Sequence, residues 1–217
     1  MTTPAPAFPD RTTPPAPGVP KDVSFPDYFE DVLSNGMKVI VYERNDLPMV
    51  TVSLVARGGA FHDGASYGLA SMMTELLTKG TPTRNAVQIV EDIESLGGSI
   101  GANAGWDSMN AGVTILSRNL EKAMDVLAEV ARMPSFPDEE LERAREQRLA
   151  HILQRKASPN ALASIQFSRA VYGSHPYAHP LEGTEESILA LTGDLFAEHH
   201  RRLFSPCLLY TSPSPRD

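Results

Sequence analysis

Strands joined by short turns constrain the fold of this chain more than any other sequence feature. Asn35–Gly36 is the strongest short hairpin signal, because both residues tolerate positive φ, and a predicted strand follows over Met37–Tyr42. Met49–Ala56 then alternates apolar and polar residues with the period of a half-buried strand. Ser99–Ala104 and Asp107–Ser117 are predicted to be paired strands in turn. Because short turns join antiparallel neighbours, the sequence predicts a mainly antiparallel sheet.

Apolar residues at helical spacing fill the intervals between and after these strands. Helices are predicted at Tyr67–Leu77, Asn85–Leu96, after Asn119, from Phe136 to about Lys156, from Asn160 to about Tyr172, and as a short pair between Thr184 and Leu203. Asn119 is in position to cap its helix through its side chain. Ser158–Pro159 separates the long charged helix from the next one. This order of elements predicts an α+β domain with the helices packed on one face of the sheet.

The two ends of the chain differ in composition from the rest. Residues 1–26 are rich in proline, threonine and alanine, and they are predicted to form a disordered arm or linker, or a proline-rich ligand for a partner groove. The ordered domain is predicted at residues 27–206 and appears cut short at its C-terminal end. Residues 207–217 share no periodicity with it, and we interpret them as translated adapter read-through or, alternatively, as a real disordered tail.

Composition excludes few functions. The net charge of −8 disfavours a nucleic-acid partner, because phosphate binding needs a cationic face. No segment approaches the ~18 consecutive apolar residues of a membrane span, and the first residues given do not show the basic-then-apolar pattern of a signal sequence. The single cysteine, Cys207, has no partner for an internal disulfide. The sequence is compatible with a periplasmic and with a cytoplasmic location.

The span Gly68–Thr81 carries the motif that bears on chemistry. It reads Gly-Leu-Ala-Ser-Met-Met-Thr-Glu-Leu-Leu-Thr-Lys-Gly-Thr. It resembles the signature of the pitrilysin–insulinase peptidases, which reads Gly-Leu-Ala-His-x-x-Glu-His and then, after four residues, Gly-Thr. This resemblance to the family of insulin-degrading enzyme and mitochondrial processing peptidase implies the N-terminal domain of such a metallohydrolase.

Shorter matches extend the resemblance over nearly the whole ordered chain, from Leu33 to Pro206. They are Leu33-Ser34-Asn35-Gly36, Pro134-x-Phe136, Tyr172-Gly173-x-His175-Pro176 and Gly183-Thr184. Each is short, but together they occur in the family's order and spacing. The resemblance therefore implies the pitrilysin-like α+β fold.

The same resemblance implies a degenerate zinc site. In the family, two histidines on one helix face bind zinc, the glutamate before the second is the general base, and a distant glutamate completes the site. The first histidine falls on Ser71, the base on Thr74 and the second histidine on Glu75. The distant glutamate falls near His151, on the long charged helix. A serine hydroxyl is a poor zinc ligand and threonine cannot act as the base, so we expect no cofactor and no catalytic residue.

Three functions remain open on the sequence. The favoured hypothesis is a non-catalytic half or subunit that helps to enclose peptide substrates for a zinc-bearing pitrilysin-like peptidase. A second is an active metallopeptidase with an altered site, in which Glu75 and His151 retain zinc. A third is a stand-alone binding or scaffold module. Whether the chain is an enzyme is thus open, with inactivity predicted, and a hydrogen bond or ion pair is the favoured role of Glu75.

Other polar and sulfur-containing residues are assigned structural roles. His175 and His179 have metal-like spacing but lie in a predicted loop, where they are expected to be ordinary surface histidines. His199–His200 lie near a helix end, where the dipole favours cations. Met72–Met73 are expected in the core, and Glu139–Arg148 is expected to be a solvated helix face with i,i+4 ion pairs.

Overall fold

One six-stranded sheet forms the base of the fold. The computed structural model describes Gly18, residues 27–204 and residues 209–210. The strands are β1 (Phe29–Val32), β2 (Lys38–Val41), β3 (Met49–Arg57), β4 (Ser99–Ala104), β5 (Ser108–Leu116) and β6 (Leu209–Tyr210). Their order in the sheet is β1-β2-β6-β3-β5-β4. Every neighbouring pair is antiparallel except β2 and β6, which share one parallel pair of residues. The predicted strands are confirmed, with their ends shifted by no more than one residue.

Seven α-helices pack with this sheet in the described part of the chain. They are α1 (Leu69–Leu76), α2 (Ala86–Glu94), α3 (Leu120–Arg132), α4 (Asp138–Lys156), α5 (Pro159–Tyr172), α6 (Glu185–Ala190) and α7 (Gly193–Leu203). The α+β class is confirmed. None of the described helices is both long and apolar enough to cross a membrane.

The core lies between the helices and one face of β5. Residues of β5 are alternately buried and half-buried, and the buried set joins the hydrophobic side chains of α1, α2 and α3 in one cluster. Met72 and Met73 of α1 have no exposed surface, so their predicted core position is confirmed. Transfer of such side chains out of water contributes roughly 1.5–3 kcal/mol each, which makes α1 a central element of the fold.

Capping residues explain where several helices begin. Asn85 starts α2 with a reciprocal capping box, in which Asn85 Oδ1 accepts from the Gln88 N–H and Gln88 Oε1 accepts from the Asn85 N–H, both at 2.9 Å. Ser158 precedes Pro159 at the start of α5, as the sequence predicts. Asn119 differs from its prediction: its Nδ2 donates to the Leu96 carbonyl at 2.8 Å. It therefore ties the segment after α2 to the start of α3 instead of capping α3.

The β1–β2 hairpin lies at the edge of the sheet and contains no buried residue. Gly36 supplies the positive φ, 85°, that its turn requires. Within the described residues, β6 joins this hairpin to β3. The strand β6 lies in the 207–217 segment that we interpret as non-native; its pairing does not bear on that interpretation, which stays a prediction. Apart from Gly18, the predicted arm at residues 1–26 lies outside the described residues, as does Cys207.

Candidate metal centre

The helix that carries the degenerate motif is fixed at its N-terminus by a buried carboxylate. Asp63 accepts hydrogen bonds from the Gly68 and Ala70 N–H groups, both at 2.9 Å. Burial raises the pKa of Asp63 to about 6, although these N–H donors and that of Leu69 favour the ionised form. Gly68 has φ 89°, and a Cβ there would lie 2.8 Å from the Glu182 carbonyl oxygen. Asp63 therefore fixes the start of α1, and Gly68 allows the helix to approach the loop that contains Glu182.

Thr74, at the position of the family's general base, is fully buried and bonded to its own helix. Its Oγ1 lies 2.9 Å from the Ala70 carbonyl oxygen and 3.0 Å from that of Ser71, in the geometry of a donor. This back-bonding to the preceding turn is typical of threonine inside a helix. The hydroxyl is committed to the backbone and is not in a position to take a proton from water.

Ser71 and Glu75 lie four residues apart and contact the same guanidinium. Arg148 of α4 donates to Ser71 Oγ at 3.0 Å through Nη1, and to Glu75 Oε2 at 2.5 Å through Nη2. The Arg148 side chain is 10% exposed and that of Glu75 is 35% exposed. An ion pair at Glu75, predicted as its favoured role, is therefore present, and Arg148 contacts both residues that are predicted to stand at the family's ligand positions.

The burial of Arg148 corrects one expectation. The Glu139–Arg148 stretch was predicted to be a solvated face, and Arg143 fits that prediction because it pairs with Glu139 at the i,i+4 spacing. Arg148 instead is buried on the stripe of α4 that also carries Leu141 and Ile152. That spacing is readable from the sequence, and it is the signal that could have placed Arg148 against α1.

His151 is exposed on α4, three residues beyond Arg148. The structure thus brings Ser71, Glu75 and Arg148 together, while His151 is absent from the hydrogen bonds between α1 and α4 in the described residues. Its assignment to the family's distant glutamate remains a prediction.

These side chains do not fit a zinc ion. Catalytic zinc takes three nitrogen, sulfur or carboxylate ligands and an open position. The donors at the family positions are a serine hydroxyl and one carboxylate, which is already paired with Arg148. No group of three or more His, Cys, Asp or Glu side chains within the described ranges could hold a metal. The donor set supports an ion-paired polar contact and no metal-bound water.

Two histidine pairs have other environments. His175 Nδ1 accepts the Tyr177 N–H at 3.2 Å, and His179 stacks on Tyr67 with ring centroids 3.8 Å apart. His199 and His200 are buried, and burial lowers the pKa of both, that of His199 to about 4. His200 Nε2 lies 2.8 Å from the Ala131 carbonyl oxygen and donates to it as a neutral ring. Desolvation thus outweighs the helix dipole at these two rings, and their burial fits the structural role predicted for them, while Arg201 and Arg202 are the cations at this helix end.

Sequence comparison links this geometry to known proteins. Residues 39–185 match the family model for insulinase, peptidase family M16. An uncharacterized zinc protease of Rickettsia bellii is 28% identical over 165 residues, which are 76% of this chain and 40% of that protein. A non-peptidase homolog, YmxG of Helicobacter pylori, is 27% identical over 167 residues, which are 76% of this chain and 39% of that protein.

A solved structure shows the same fold. The peptidase M16 inactive domain from Pseudomonas fluorescens superposes with a TM-score of 0.82 at 30% identity, over 85% of this chain and 45% of that one. The chain spans about 40% of the length of the two curated relatives. The matching fold, the signature frame and the family model lead to one conclusion: the chain belongs to the insulinase peptidases, peptidase family M16.

Proposed function

We propose that this chain is a non-catalytic member of its family that acts as a partner half or subunit and helps to enclose peptide substrates for a zinc-bearing peptidase of the same family. The observation that carries the proposal is the Arg148 guanidinium, which bonds to both Ser71 and Glu75 where the family holds zinc. A fixed positive charge at the ligand positions repels a divalent cation and leaves no water to activate.

The packing around α1 supports a role that needs the fold without the chemistry. Six of its eight residues are buried, and Asp63 holds its N-terminus. Side-chain burial of this kind stabilises a domain whether or not a metal is bound. Two similar proteins agree with such a role: one is described as an inactive domain and the other as a non-peptidase homolog.

The outer edge of β4 offers a way to hold a peptide. β4 is the terminal strand of the sheet order, and its six residues, Ser-Ile-Gly-Ala-Asn-Ala, include no lysine or proline that would block pairing. An extended peptide adds to such an edge through main-chain hydrogen bonds, which are independent of its sequence. This mode suits an unfolded substrate.

The test combines the protein that carries this domain with a zinc-bearing M16 peptidase encoded beside it. We expect co-elution on a sizing column, faster turnover of an unfolded peptide than the peptidase achieves alone, and slower amide hydrogen exchange in β4 when peptide is added. Glu75→Gln is the matched variant: a non-catalytic partner keeps its stimulation, whereas a metallopeptidase with an altered site loses activity.

Two results would contradict the proposal. One tightly held zinc per chain in elemental analysis, together with peptide cleavage by the chain alone, would establish the altered-site metallopeptidase. Equal turnover with and without the chain, and no complex, would leave the scaffold module as the better hypothesis.

A further inference from the structure

A cleft of about 480 Å³ lies outside the degenerate metal centre. The residues that line it include Phe61, Tyr67, His175 and His179, together with Arg169 of α5. We refer to these five residues as the aromatic cleft. The volume falls within the roughly 300–1,000 Å³ of small-ligand sites in proteins.

The rings of the aromatic cleft are held in place by contacts with each other and with a hydrogen-bonded neighbour. His179 stacks on Tyr67 at 3.8 Å between centroids, and Phe61 lies 5.8 Å from His175. Tyr177 packs edge-on against His175 at 4.7 Å and is itself fixed by hydrogen bonds of 2.6 and 2.7 Å to Asp107. A ligand ring therefore meets a preformed surface, and little ordering of the protein opposes binding.

The charge of the aromatic cleft is opposite to that of the chain. The chain carries 27 acidic and 19 basic residues, yet no Asp or Glu among the described residues lines the cleft. Burial lowers the pKa of His179, so that ring is neutral at pH 7. Arg169 is the only charged residue of α5 and has no ion-pair partner in the part of the chain that the structure describes. It presents a guanidinium fork that suits a carboxylate.

We propose that the aromatic cleft binds an aromatic group that carries a carboxylate, such as the C-terminal aromatic residue of a peptide or an aromatic residue followed by Asp or Glu. The ligand ring packs against Phe61, Tyr67 and His175, in the offset or edge-to-face arrangements that aromatic rings prefer. Its carboxylate pairs with Arg169. That the natural ligand is a peptide rests on the proposed function, whereas the chemistry of the cleft does not.

The experiment uses the chain's single tryptophan as the reporter. Trp106 lies 5.5 Å from His179 and 5.0 Å from Tyr177 between ring centroids, so occupation of the cleft changes its fluorescence. The full chain is titrated with N-acetylphenylalanine, with its amide, which lacks the carboxylate, and with N-acetyl-Phe-Asp-amide, which carries the carboxylate on a side chain. Calorimetry on the same solutions gives binding constants that do not depend on the fluorescence.

We expect N-acetylphenylalanine to bind with a Kd on the order of 1 mM, as a ligand of its size permits. The amide should bind about two- to fivefold more weakly, because an exposed ion pair contributes modestly. Arg169→Gln should remove the difference in affinity between the acid and the amide. Arg143→Gln alters an exposed arginine of α4, outside the cleft, and should preserve that difference. The tighter of the two carboxylate probes identifies the terminal or the side-chain source.

Several results would overturn the inference. They are the absence of binding at about ten times the expected Kd, equal affinity for acid and amide in the wild type, and a difference that persists in Arg169→Gln. Any of these, together with intact binding of an unfolded peptide and stimulation of the partner, would contradict ligand binding by the aromatic cleft but not the proposed function. Binding of the acid without any effect on a partner would support ligand binding by the cleft and contradict the proposed function.

Discussion

Helices α1 and α5 are opposite extremes of the same domain. Six of the eight residues of α1 are buried, and several of its apolar side chains have no exposed surface. None of the fourteen residues of α5 is buried, and Phe167 and Val171 on it are 68% and 57% exposed. Yet both form regular helices. Tertiary burial determines α1, while local signals determine α5: Ser158 accepts the Ala161 N–H at 3.4 Å and Pro159 occupies the first helical position.

The difference separates what the fold needs from what the family's chemistry needs. α1 carries Ser71, Thr74 and Glu75 where the signature resemblance places the family's ligands and base, and six of its eight residues are buried in the core. Ser71 and Glu75 both bond to Arg148 on α4, so this face of α1 makes a structural contact between two helices. α5 contributes little to the core, and changes on it should act on surfaces more than on stability.

The largest expected effect is the zinc affinity of variants that carry the family's ligands on α1 and α4. The variant Ser71→His, Thr74→Glu, Glu75→His and His151→Glu supplies the family's ligands but leaves the Arg148 guanidinium among them. We therefore expect strong zinc binding only when Arg148→Leu is added. A Kd at or below micromolar corresponds to about 8 kcal/mol of binding energy that the wild type lacks.

Calorimetric titration of both variants, each shown to be folded by circular dichroism, measures this difference. Tight zinc binding by the four-fold variant would mean that Arg148 moves aside easily. No binding by the folded five-fold variant would show that the placement of the ligands, His151 above all, is wrong.

The second prediction compares how much a leucine on each of the two helices contributes to the free energy of unfolding. Leu76→Ala on α1 removes a side chain with no exposed surface, and we expect a loss of about 2–5 kcal/mol in the free energy of unfolding. Leu162→Ala on α5, where the side chain is 41% exposed, should cost less than about 1 kcal/mol. Urea denaturation of both variants gives the two values, and equal losses would abolish the contrast.

The third effect is a pH dependence at the start of α1. The pKa of Asp63 is raised to about 6, so its contribution to stability is complete below its unfolded pKa of 3.8 and is lost as pH rises through 6. His199, with a pKa lowered from 6.5 to about 4, has the opposite dependence: its contribution is present above 6.5 and is lost as pH falls through 4.

In Asp63→Asn the dependence that arises from Asp63 is absent, while those of His199 and the other titrating groups remain. The stability advantage of the wild type over this variant should therefore fall between pH 4 and 7, by about 1–3 kcal/mol. Ser158→Ala removes the uncharged cap of α5 and is the control, because its cost should not change with pH. Urea denaturation at several pH values measures both, and parallel profiles for wild type and Asp63→Asn would contradict the assignment.

Most of the fold was predictable because its signals are local. Asn35–Gly36 predicts the first hairpin, and the alternation in Met49–Ala56 predicts β3 to within one residue. The role of Asn119 was not predictable: the preference of asparagine for helix starts placed it correctly, but its amide reaches Leu96 across a gap that only the tertiary structure closes. The same holds for His199, whose burial depends on contacts made by other elements.

The candidate site divides in the same way. The signature frame is a contiguous span, so the sequence alone could predict that Ser71, Thr74 and Glu75 replace the family's ligands and base. It could not predict that Arg148 contacts Ser71 and Glu75. Arg148 lies 73 residues beyond Glu75, and its charge predicted a solvent-exposed side chain. An arginine on the apolar stripe of a helix indicates a polar partner on the element that packs against it, and Glu75 is that partner.

The smallest expected effect concerns that pair. Arg148→Ala removes the guanidinium and leaves the Glu75 carboxylate and the Ser71 hydroxyl without it. Loss of one partner from a buried pair costs about 3–5 kcal/mol, but the Glu75 side chain is 35% exposed and regains water, so we expect about 1–2 kcal/mol. Arg169→Ala on α5 is the matched change, and it should cost less than about 0.5 kcal/mol because this exposed arginine lies on a helix without buried residues. The double variant Arg148→Ala and Glu75→Ala separates pairing from packing in a thermodynamic cycle. A coupling energy near zero would mean that Arg148 stabilises α1 through its aliphatic stem alone, and the comparison between the two helices would then rest on apolar burial without any contribution from the ion pair.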